Sequence, residues 1–497
     1  MSVSIDIHLI SGKSVPLEAN EDATVHELSQ RAQSALGVGR GRLFTSSGDV
    51  LDTAATVKRA RLQSGDVLML HVAQVRVATT KGLPSPIRPA ACAAILGDGS
   101  VVTWGDPASG GNTSAAQDWL QDVRQVQASA GAFAAIRTDG SVVTWGHSSY
   151  GGDSSAVQER LQNVLHIQAS SDAFAAIRAD GSVVTWGAVG TGGNSREVQN
   201  RLQKVQCIQA TGTAFAAIRS DGSVVTWGLA EFGGDSSKVQ HRLQNVQHIQ
   251  ANDAAFAAIC GDGSVVTWGT VDKGGDSRDV QERLRSVQQV QASKYAFAAI
   301  CTGGTVVTWG DSNYGGDSRD EQDRLQNVEQ IQASVAAFAA IRADGSVVTW
   351  GLPQCGGDSS KVQHRLRTVQ YIQATGGAFA AIRADGSVVT WGIADAGGNS
   401  SKVQDRLQTV QHIQATSAAF AAICADGSVV TWGLAEFGGD SSKVQDRLQT
   451  VQHIQATSAA FAAIRADGSL VTWARSGWGG DSSALQDFVT STQIQQF

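Results

Sequence analysis

The sequence predicts a mainly β protein: a β-propeller of ten three-stranded blades with short helices, preceded by a small α+β domain. The first observation behind this prediction is the stretch AFAAIRTDGSVVTWG at residues 132–146, which recurs in close copies down most of the chain. The second is the tryptophan near the end of each copy, which repeats every 41 residues without an insertion or deletion. A fixed period of about 20 to 50 residues is typical of solenoids, propellers and arrays. The ten tryptophans are Trp104, Trp145, Trp186, Trp227, Trp268, Trp309, Trp350, Trp391, Trp432 and Trp473.

Composition and charge narrow the function classes. The chain has 497 residues, with 38 basic and 45 acidic side chains and a net charge of −7. This mild acidity gives no electrostatic reason to expect nucleic acid or an anionic membrane as a partner. No apolar run is long enough to span a bilayer, and the N-terminus lacks the features of a secretory signal. None of the six cysteines lies in a Cys-x-x-Cys pair. We therefore expect free thiols and a cytoplasmic or nuclear location.

Residues 1–77 contain no copy of the repeat and predict a separate domain. Ser4–Leu9 alternates as a strand, and Ser14–Glu18 returns as its hairpin partner. A capped helix is expected over Val25–Ala35, and two short strands follow at Arg42–Thr45 and Val67–Val72. The predicted order is therefore two strands, a helix and further short strands.

This domain resembles the ubiquitin-like fold over about residues 3–73. The matching features are the hairpin at Gly12-Lys13, the RLF run Arg42–Phe44, the GDVL of Gly48–Leu51 and the closing strand Gly65–Val72. By resemblance, Ile10, Phe44 and Leu70 would form an apolar partner-binding patch. The alternative is that they are ordinary sheet residues, one of them buried. The chain reads on past residue 77 without a terminal Gly-Gly, so the resemblance implies a fixed module, not a conjugated modifier.

A linker is expected at residues 78–90. Three of the six prolines lie there, at Pro84, Pro86 and Pro89. Proline favours extended backbone and lacks a donor, so the segment should be a semi-rigid spacer between the domain 1–77 and the propeller 91–497.

The repeat unit predicts three antiparallel strands. In one copy, Val164–Ala169 alternates as a strand, and Ala173–Arg178 is apolar on both faces, as expected for a buried strand. Asp180-Gly181 suits a tight hairpin turn and leads into the third strand, Val183–Trp186.

A short helix is expected between consecutive copies. Asp153 or Ser154 can cap it, and Val157, Leu161 and Val164 follow at i, i+4 and i+7. Asparagine replaces the aspartate in three copies, which keeps the cap but weakens a cation site. We therefore interpret this aspartate as a helix cap.

Three strands cannot bury both faces alone, so each unit needs a neighbour on either side. The first copy, 91–105, has no first strand directly before it, and Thr492–Gln495 resembles a surplus one. We expect this C-terminal strand to complete the first blade and close the ring. Ten blades exceed the usual four to eight, and an open superhelical array is the alternative.

The repeat resembles the family of the regulator of chromosome condensation. Ile177–Gly187 (IRADGSVVTWG) and Gly192-Gly193 fit its signature, and the resemblance covers residues 91–497. The period is shorter than is typical, and is similar to that of the three-stranded blades of bacterial β-lactamase inhibitor proteins. The resemblance implies three kinds of function: nucleotide exchange on a small GTPase, docking within HERC-type ubiquitin ligases, and enzyme inhibition. Exchange factors use an inserted wedge, for which a strict 41-residue period leaves no room.

No motif in the sequence indicates catalysis. The histidines form no set with metal-ligand spacing, and the Gly-Gly pairs precede no Lys-Ser or Lys-Thr, so a phosphate loop is not supported. Nothing resembles a nucleophile with its base. We predict a non-enzymatic protein with no cofactor and no metal.

The residues that vary within the fixed frame point to recognition. Five residues after each frame tryptophan the copies differ, and half of them are aromatic. These loops should form one circular rim, where aromatic side chains suit partner binding. The alternative is that each packs on a neighbouring loop. The candidate partner-binding residues are Tyr150, Phe232, Lys273, Tyr314, Phe437 and Trp478.

Taken together, the sequence predicts a non-catalytic scaffold that binds proteins. An adaptor with ubiquitin-system partners is the first hypothesis, because the N-terminal resemblance supplies that link. A lectin-like or inhibitor-like propeller that uses its aromatic rim is the second, and a nucleotide exchange factor is the third.

Overall fold

The computed structural model describes residues 2–481 except 74, 81–89, 115, 468, 476 and 477. Two regions follow one another along the chain: an N-terminal unit with one mixed sheet, and ten repeated three-stranded sheets. The expected C-terminal strand Thr492–Gln495 and most of the expected linker lie outside the described residues.

The N-terminal unit consists of four strands and one helix. These are β1 (Ser2–His8), β2 (Ser14–Asn20), α1 (Val25–Leu36), β3 (Arg42–Phe44) and β4 (Val67–His71). The sheet order is β2-β1-β4-β3, with β1 and β4 parallel and the other pairs antiparallel. The helix and the strands lie where the sequence predicts them.

Helix α1 begins at a capping box. The Thr24 hydroxyl accepts a hydrogen bond from the Glu27 N–H, and the Glu27 carboxylate accepts one from the Thr24 N–H. Val25, Leu28 and Ala32 are buried along one face, where they share a core with β1 and β4. The helical spacing of these apolar residues is therefore what fixes the helix on the sheet.

Ten units, each an antiparallel sheet of three strands, make up the rest of the structure. Their strands are β5 (Arg76–Thr79), β6 (Ala91–Ile95), β7 (Val101–Gly105), β8 (Val123–Ala128), β9 (Ala132–Arg137), β10 (Val142–Gly146), β11 (Val164–Ala169), β12 (Ala173–Arg178), β13 (Val183–Gly187), β14 (Val205–Ala210), β15 (Ala214–Arg219), β16 (Val224–Gly228), β17 (Val246–Ala251), β18 (Ala255–Cys260), β19 (Val265–Gly269), β20 (Val287–Ala292), β21 (Ala296–Cys301), β22 (Val306–Gly310), β23 (Val328–Ala333), β24 (Ala337–Arg342), β25 (Val347–Gly351), β26 (Val369–Ala374), β27 (Ala378–Arg383), β28 (Val388–Gly392), β29 (Val410–Ala415), β30 (Ala419–Cys424), β31 (Val429–Gly433), β32 (Val451–Ala456), β33 (Ala460–Arg465) and β34 (Leu470–Ala474).

Two short helical turns follow the third strand of a unit. The first turns are Pro107–Ser109, Ser148–Tyr150, Val189–Thr191, Ala230–Phe232, Val271–Lys273, Ser312–Tyr314, Pro353–Cys355, Ala394–Gly398 and Ala435–Phe437. The second turns are Gln117–Trp119, Ser155–Arg160, Arg196–Arg201, Gln240–Arg242, Arg278–Arg283, Arg319–Glu321, Gln363–Arg365, Gln404–Arg406 and Ser442–Arg447. They are 3₁₀ in form, apart from the π-type turn at 394–398, because three to six residues are too few for a cooperative α-helix.

The predicted capping bond of Asp153 is confirmed, but the predicted stripe does not lie on one helix, because the turn ends at Arg160 and Val164 begins strand β11. The Asp153 carboxylate accepts a hydrogen bond from the Ser155 N–H at 2.9 Å, and Asn194 makes the same bond to the Arg196 N–H at 3.1 Å. Leu161 and Val164 are fully buried between the second and third units. The turn therefore serves as a spacer whose leucine seals the gap between two sheets.

The predicted Asp-Gly turn is also confirmed. The Asp180 carboxylate accepts hydrogen bonds from the Ser182 N–H at 2.9 Å and from its hydroxyl at 2.6 Å. Gly181 has a φ of +76°, and a Cβ there would lie 2.8 Å from the Cα of Lys204. Glycine is required because the turn is left-handed and touches the neighbouring unit.

Consecutive units are joined by the frame tryptophans. Trp186 stacks on Phe174 of its own unit at 5.2 Å between ring centroids, and its indole N–H donates to the Gly151 carbonyl of the preceding unit at 3.0 Å. The same bond occurs between the last unit and the first, from Trp104 to the Gly479 carbonyl at 2.8 Å. Apolar residues of both units, including Trp104 and Ile464, form one buried cluster there.

The first strand of the first three-stranded sheet differs from the sequence prediction. β5 pairs with β6, with Arg76 opposite Ile95 and Thr79 opposite Cys92. This strand spans the end of the expected domain 1–77 and the start of the expected linker 78–90, so the repeat region begins near residue 76 and not at residue 91. The position that the sequence prediction gave to the C-terminal strand is therefore taken by a strand that continues directly from the N-terminal unit.

The distance between neighbouring units is smaller at the first-strand edge of the sheets than at the third-strand edge. The first strands of consecutive units lie side by side from β5 to β32. The third strands are separated by helical turns: β13 contacts Ser148–Tyr150 and Ser155–Arg160, which belong to the preceding unit. Each unit is therefore wedge-shaped, with its narrow side at the first strand.

Candidate partner-binding surface

Two variable loops lie at the same end of each unit. One connects the first strand to the second, as at residues 129–131, and the other is the first helical turn with the residue before it, as at 147–150. We call the combined surface of these loops the loop end. A side chain of the first loop donates to a carbonyl of the second, as from the Ser129 hydroxyl to Tyr150 at 2.8 Å. The equivalent bonds join Ser170 to Thr191, Thr211 to Phe232, Asn252 to Lys273, Ser293 to Tyr314, Ser334 to Cys355, Thr375 to Ala396, Thr416 to Phe437 and Thr457 to Trp478.

Backbone hydrogen bonds also tie the first loops to each other. The Ala130 N–H donates to the Ser171 carbonyl at 2.8 Å, and the Ser171 N–H donates in turn to the Gly212 carbonyl at 2.9 Å. The pattern continues through Asp253, Lys294, Val335, Gly376 and Ser417 to Ser458. We call this series the loop ladder. It holds nine loops in one row, so the loop end is a continuous surface.

The predicted rim residues are less exposed than expected. Tyr150, Phe232, Tyr314 and Phe437 are half-buried, and Trp478 is only 8% exposed. The Tyr150 ring lies 3.2 Å from the position that a Cβ on Gly131 would occupy. Tyr314 packs edge-on against Tyr295, with ring centroids 4.8 Å apart. These contacts match the alternative in which the aromatic side chains pack on nearby loops.

Lys273, the charged member of the predicted rim, is engaged within the surface. Its ammonium group lies 2.7 Å from the Asp311 carboxylate of the next unit and 4.8 Å from the centre of the Tyr295 ring. The hydrogen bond to Asp311 raises the pKa of Lys273. Burial alone would raise the pKa of Asp311, but the hydrogen bond from Lys273 and those from Asn313 lower it overall. Lys273 therefore joins two units and contributes little free charge.

Other apolar residues at the loop end are the exposed ones. Val189 and Val271, three residues after their tryptophans, are 68% and 66% exposed. Leu229, Ile393 and Leu434 follow two residues after their tryptophans and are also exposed, as is Val335 in a first loop. The sequence prediction missed the residues after the tryptophan because it selected its candidates at position five, where aromatic residues occur. A signal was present at position two, which holds seven residue types in the ten copies, against eight at position five.

The loop end is acidic. Among its described residues, eight carboxylates stand against three basic side chains. The carboxylates are Asp106, Asp172, Glu231, Asp253, Asp272, Asp311, Asp395 and Glu436, and the basic residues are Lys273, Lys294 and Arg475. Four exposed carboxylates lie within two residues of an exposed aliphatic side chain: Glu231, Asp272, Asp395 and Glu436.

The three residues of the predicted ubiquitin-like patch do not share one exposed surface. Ile10 is 79% exposed, whereas Leu70 is 1% exposed and belongs to the core of the N-terminal unit. Phe44 is half-buried and lies edge-on against His71. The Leu70 prediction needs correction, because this side chain faces α1 and the core and cannot contact a partner.

The N-terminal unit contacts the first two repeat units at the end opposite the loop end, where the Asp-Gly turns lie. Arg42 pairs with Asp122 at 2.7 Å, and its Nε donates to the Asp98 carbonyl at 2.6 Å. Arg40 lies 3.7 Å from the Asp98 carboxylate. The N-terminal unit therefore lies away from the loop end.

The chemistry of the described residues is that of a binding surface. They contain no group of three or more His, Cys, Asp or Glu side chains placed to hold a metal ion. All six cysteines are free thiols, as the sequence predicts. In the part of the chain that the structure covers, no helix is long and apolar enough to cross a membrane.

No family model and no curated protein matches the chain. Solved propeller structures are similar at low scores. Prp20p from Saccharomyces cerevisiae is 16% identical with a TM-score of 0.32, over 53% of this chain and 81% of that one. Human WBSCR16 is 16% identical with a TM-score of 0.33, over 62% and 83%. A design based on ubiquitin is 24% identical with a TM-score of 0.13, over 14% and 85%. These TM-scores lie below 0.5, so the function of the chain is argued from its own geometry.

Proposed function

We propose that this protein is a non-catalytic scaffold that docks a protein partner on its loop end. The observation that carries the proposal is the division of each unit into a constant frame and a variable end. The frame residues, such as Phe174 and Trp186, are buried and repeated, whereas Val189, Val271 and Leu229 differ from unit to unit and are exposed. Exposed apolar side chains concentrated on one surface are typical of protein-binding sites.

We further infer that the ten units close into a ring. The hydrogen bond from Trp104 to Gly479 and the cluster shared by the first and last units support this inference. The wedge shape of each unit, narrow at the first strand, favours the same arrangement. Closure would place both ends of the loop ladder beside the first unit and give one circular docking surface.

The charge of the loop end defines the partner's chemistry. The excess of carboxylates at the loop end, four of them within two residues of an exposed aliphatic side chain, favours a partner that presents aliphatic or aromatic side chains flanked by lysine and arginine. Burying the part of each valine or leucine that is still exposed contributes about 1 to 2 kcal/mol. The charges mainly raise the association rate, so binding should weaken as salt screens them.

The other hypotheses have less support. A ubiquitin-pathway adaptor rests on the resemblance of residues 3–73, and the burial of Leu70 weakens it. A lectin-like or inhibitor-like site on the aromatic rim requires exposed rings, whereas Tyr150, Phe232, Tyr314 and Phe437 are half-buried. An exchange factor rests on family resemblance alone.

The test compares two triple variants of the full chain. Val189→Ser, Leu229→Ser and Val271→Ser together remove exposed apolar groups from three adjacent loops. The matched control changes Val50, Trp119 and Leu165 to Ser, since these are exposed but lie away from the loop end. Immobilised chains capture proteins from extract at low and high salt, and mass spectrometry quantifies them. We expect the loop-end variant to lose the salt-sensitive partners and the control to keep them. Equal capture by the two variants would contradict the proposal.

A further inference from the structure

A cleft of about 410 Å³ lies on the surface formed by the side-by-side first strands, between units eight, nine and ten. Its walls include Tyr371 of β26, His412 and Gln414 of β29, and His453 and Gln455 of β32. Its volume falls within the range of about 300 to 1,000 Å³ that is usual for small-molecule sites. We propose that this cleft binds an uncharged carbohydrate, a function that is separate from docking on the loop end.

The polar groups of the cleft select against ions. Among the described residues, its lining contains no carboxylate, ammonium or guanidinium group, and the polar side chains there are amides, imidazoles and one phenol. A glutamine amide both donates and accepts hydrogen bonds. A sugar hydroxyl also does both, so the glutamines on two neighbouring strands, β29 and β32, match a polyhydroxylated ligand. An ionic ligand would find no opposite charge here.

Tyr371 supplies the apolar contact that a sugar ring needs. Its side chain is 39% exposed, and its hydroxyl donates to the Gln373 Oε1 at 2.8 Å. The Gln373 amide is itself held, since it donates to the Ala374 carbonyl at 3.4 Å. The ring is therefore fixed before a ligand arrives, which reduces the entropy lost on binding. Burial raises the pKa of the Tyr371 phenol, which keeps the group neutral.

The backbone argues against a peptide strand as the occupant. A peptide would add to the free edge of β26, where unpaired N–H and C=O groups would accept a new strand. The register of β26 against β27 shifts between Val369 and Tyr371, which marks a β-bulge. Bulges twist an edge and interrupt its hydrogen-bonding pattern, so they oppose strand addition while they redirect a side chain.

A second cleft provides a natural control. It lies between β17 and β20, has a volume of about 540 Å³ and is lined by similar glutamines, among them Gln247, Gln288 and Gln291. Gln289 lies there at the position equivalent to Tyr371, 82 residues earlier in the repeat. This cleft has the amides without an aromatic platform.

The test is calorimetric titration of the full chain with neutral oligosaccharides of glucose, mannose, galactose and N-acetylglucosamine. We expect saturable binding of at least one, and a loss of about tenfold in affinity for Tyr371→Ser, the size of one aromatic contact. Tyr371→Phe keeps the ring but loses the hydrogen bond to Gln373 that fixes it, so its affinity should lie between those of the wild type and Tyr371→Ser. Gln289→Ser, in the control cleft, should retain the wild-type affinity. No saturable binding of any neutral sugar, or unchanged affinity in Tyr371→Ser, would overturn the proposal. Stronger binding of an acidic sugar or of an extended peptide at Tyr371 would overturn it as well.

Discussion

Replacing Trp104 with phenylalanine tests whether the last unit holds the first. The indole of Trp104 is 5% exposed, and its N–H donates to the Gly479 carbonyl at 2.8 Å. Phenylalanine cannot donate, so this carbonyl loses its partner, and the smaller ring leaves a gap in the shared cluster. An unsatisfied buried group costs about 1 to 3 kcal/mol, and the gap adds to this, which gives about 2 to 4 kcal/mol in total.

Hydrogen exchange is the appropriate assay, because it reports the opening of one unit within a long repeat. A loss of this size corresponds to a fall in amide protection on the order of 100-fold in β6 and β7. Trp268→Phe is the matched control, since Trp268 makes the same bond to Gly233 at 3.0 Å inside the row. If Trp104→Phe leaves β6 and β7 protected while Trp268→Phe exposes β18 and β19, the first and last units are not joined in solution, and the open array is correct.

Two further predictions concern the turns of the repeat. Gly181→Ala should destabilise the third and fourth units, and Gly303→Ala should destabilise the unit that contains residue 303 by less. We expect a difference of about 1 to 2 kcal/mol in the free energy of local opening, measured by hydrogen exchange. Both glycines have positive φ, but a Cβ at 181 meets Lys204 whereas one at 303 meets nothing within 4 Å, so equal effects would contradict the steric explanation. Acid should weaken the fold through the turn aspartates, because the hydrogen bonds from Ser182 and Ser223 lower the pKa of Asp180 and Asp221 below 3.8. Their contribution is complete above pH 3.8 and is lost as the pH falls through the lower folded values. We therefore expect a variant in which Asp180, Asp221, Asp344 and Asp385 are all changed to Asn to lose less stability than the wild type as the pH falls below 3.8. Circular dichroism at a series of pH values follows the unfolding. An acid transition that is the same in both proteins would show that these aspartates do not cause it.

The repeat frame could be predicted from the sequence because its signals are local. The Asp180-Gly181 turn, the apolar Ala173–Arg178 strand and the Leu161 spacer each follow from neighbouring residues. The identity of the first strand of the first unit is not local. Arg76–Thr79 lacks the pattern of the other first strands and pairs with residues beyond the proline-rich segment.

The position of the candidate site could be predicted from the sequence, but the exposure of its individual side chains could not. The variable positions correctly mark one end of each unit. Whether Tyr150 faces solvent or folds over Gly131 depends on the shape of a loop that its own sequence does not specify. Small residues after the tryptophan, such as Val189, remain exposed because the turn carries them outward and no neighbouring loop covers them.

The loop ladder has a consequence for how the sequence of such a protein can evolve. From Ala130 to Ser458 it uses only main-chain atoms, so the nine positions already hold alanine, serine, glycine, aspartate, lysine and valine without loss of the pattern. Each loop can therefore acquire a new side chain independently of its neighbours, while the row that displays it stays intact. Duplication of whole units, followed by single substitutions at these positions, would produce new binding surfaces from one inherited framework.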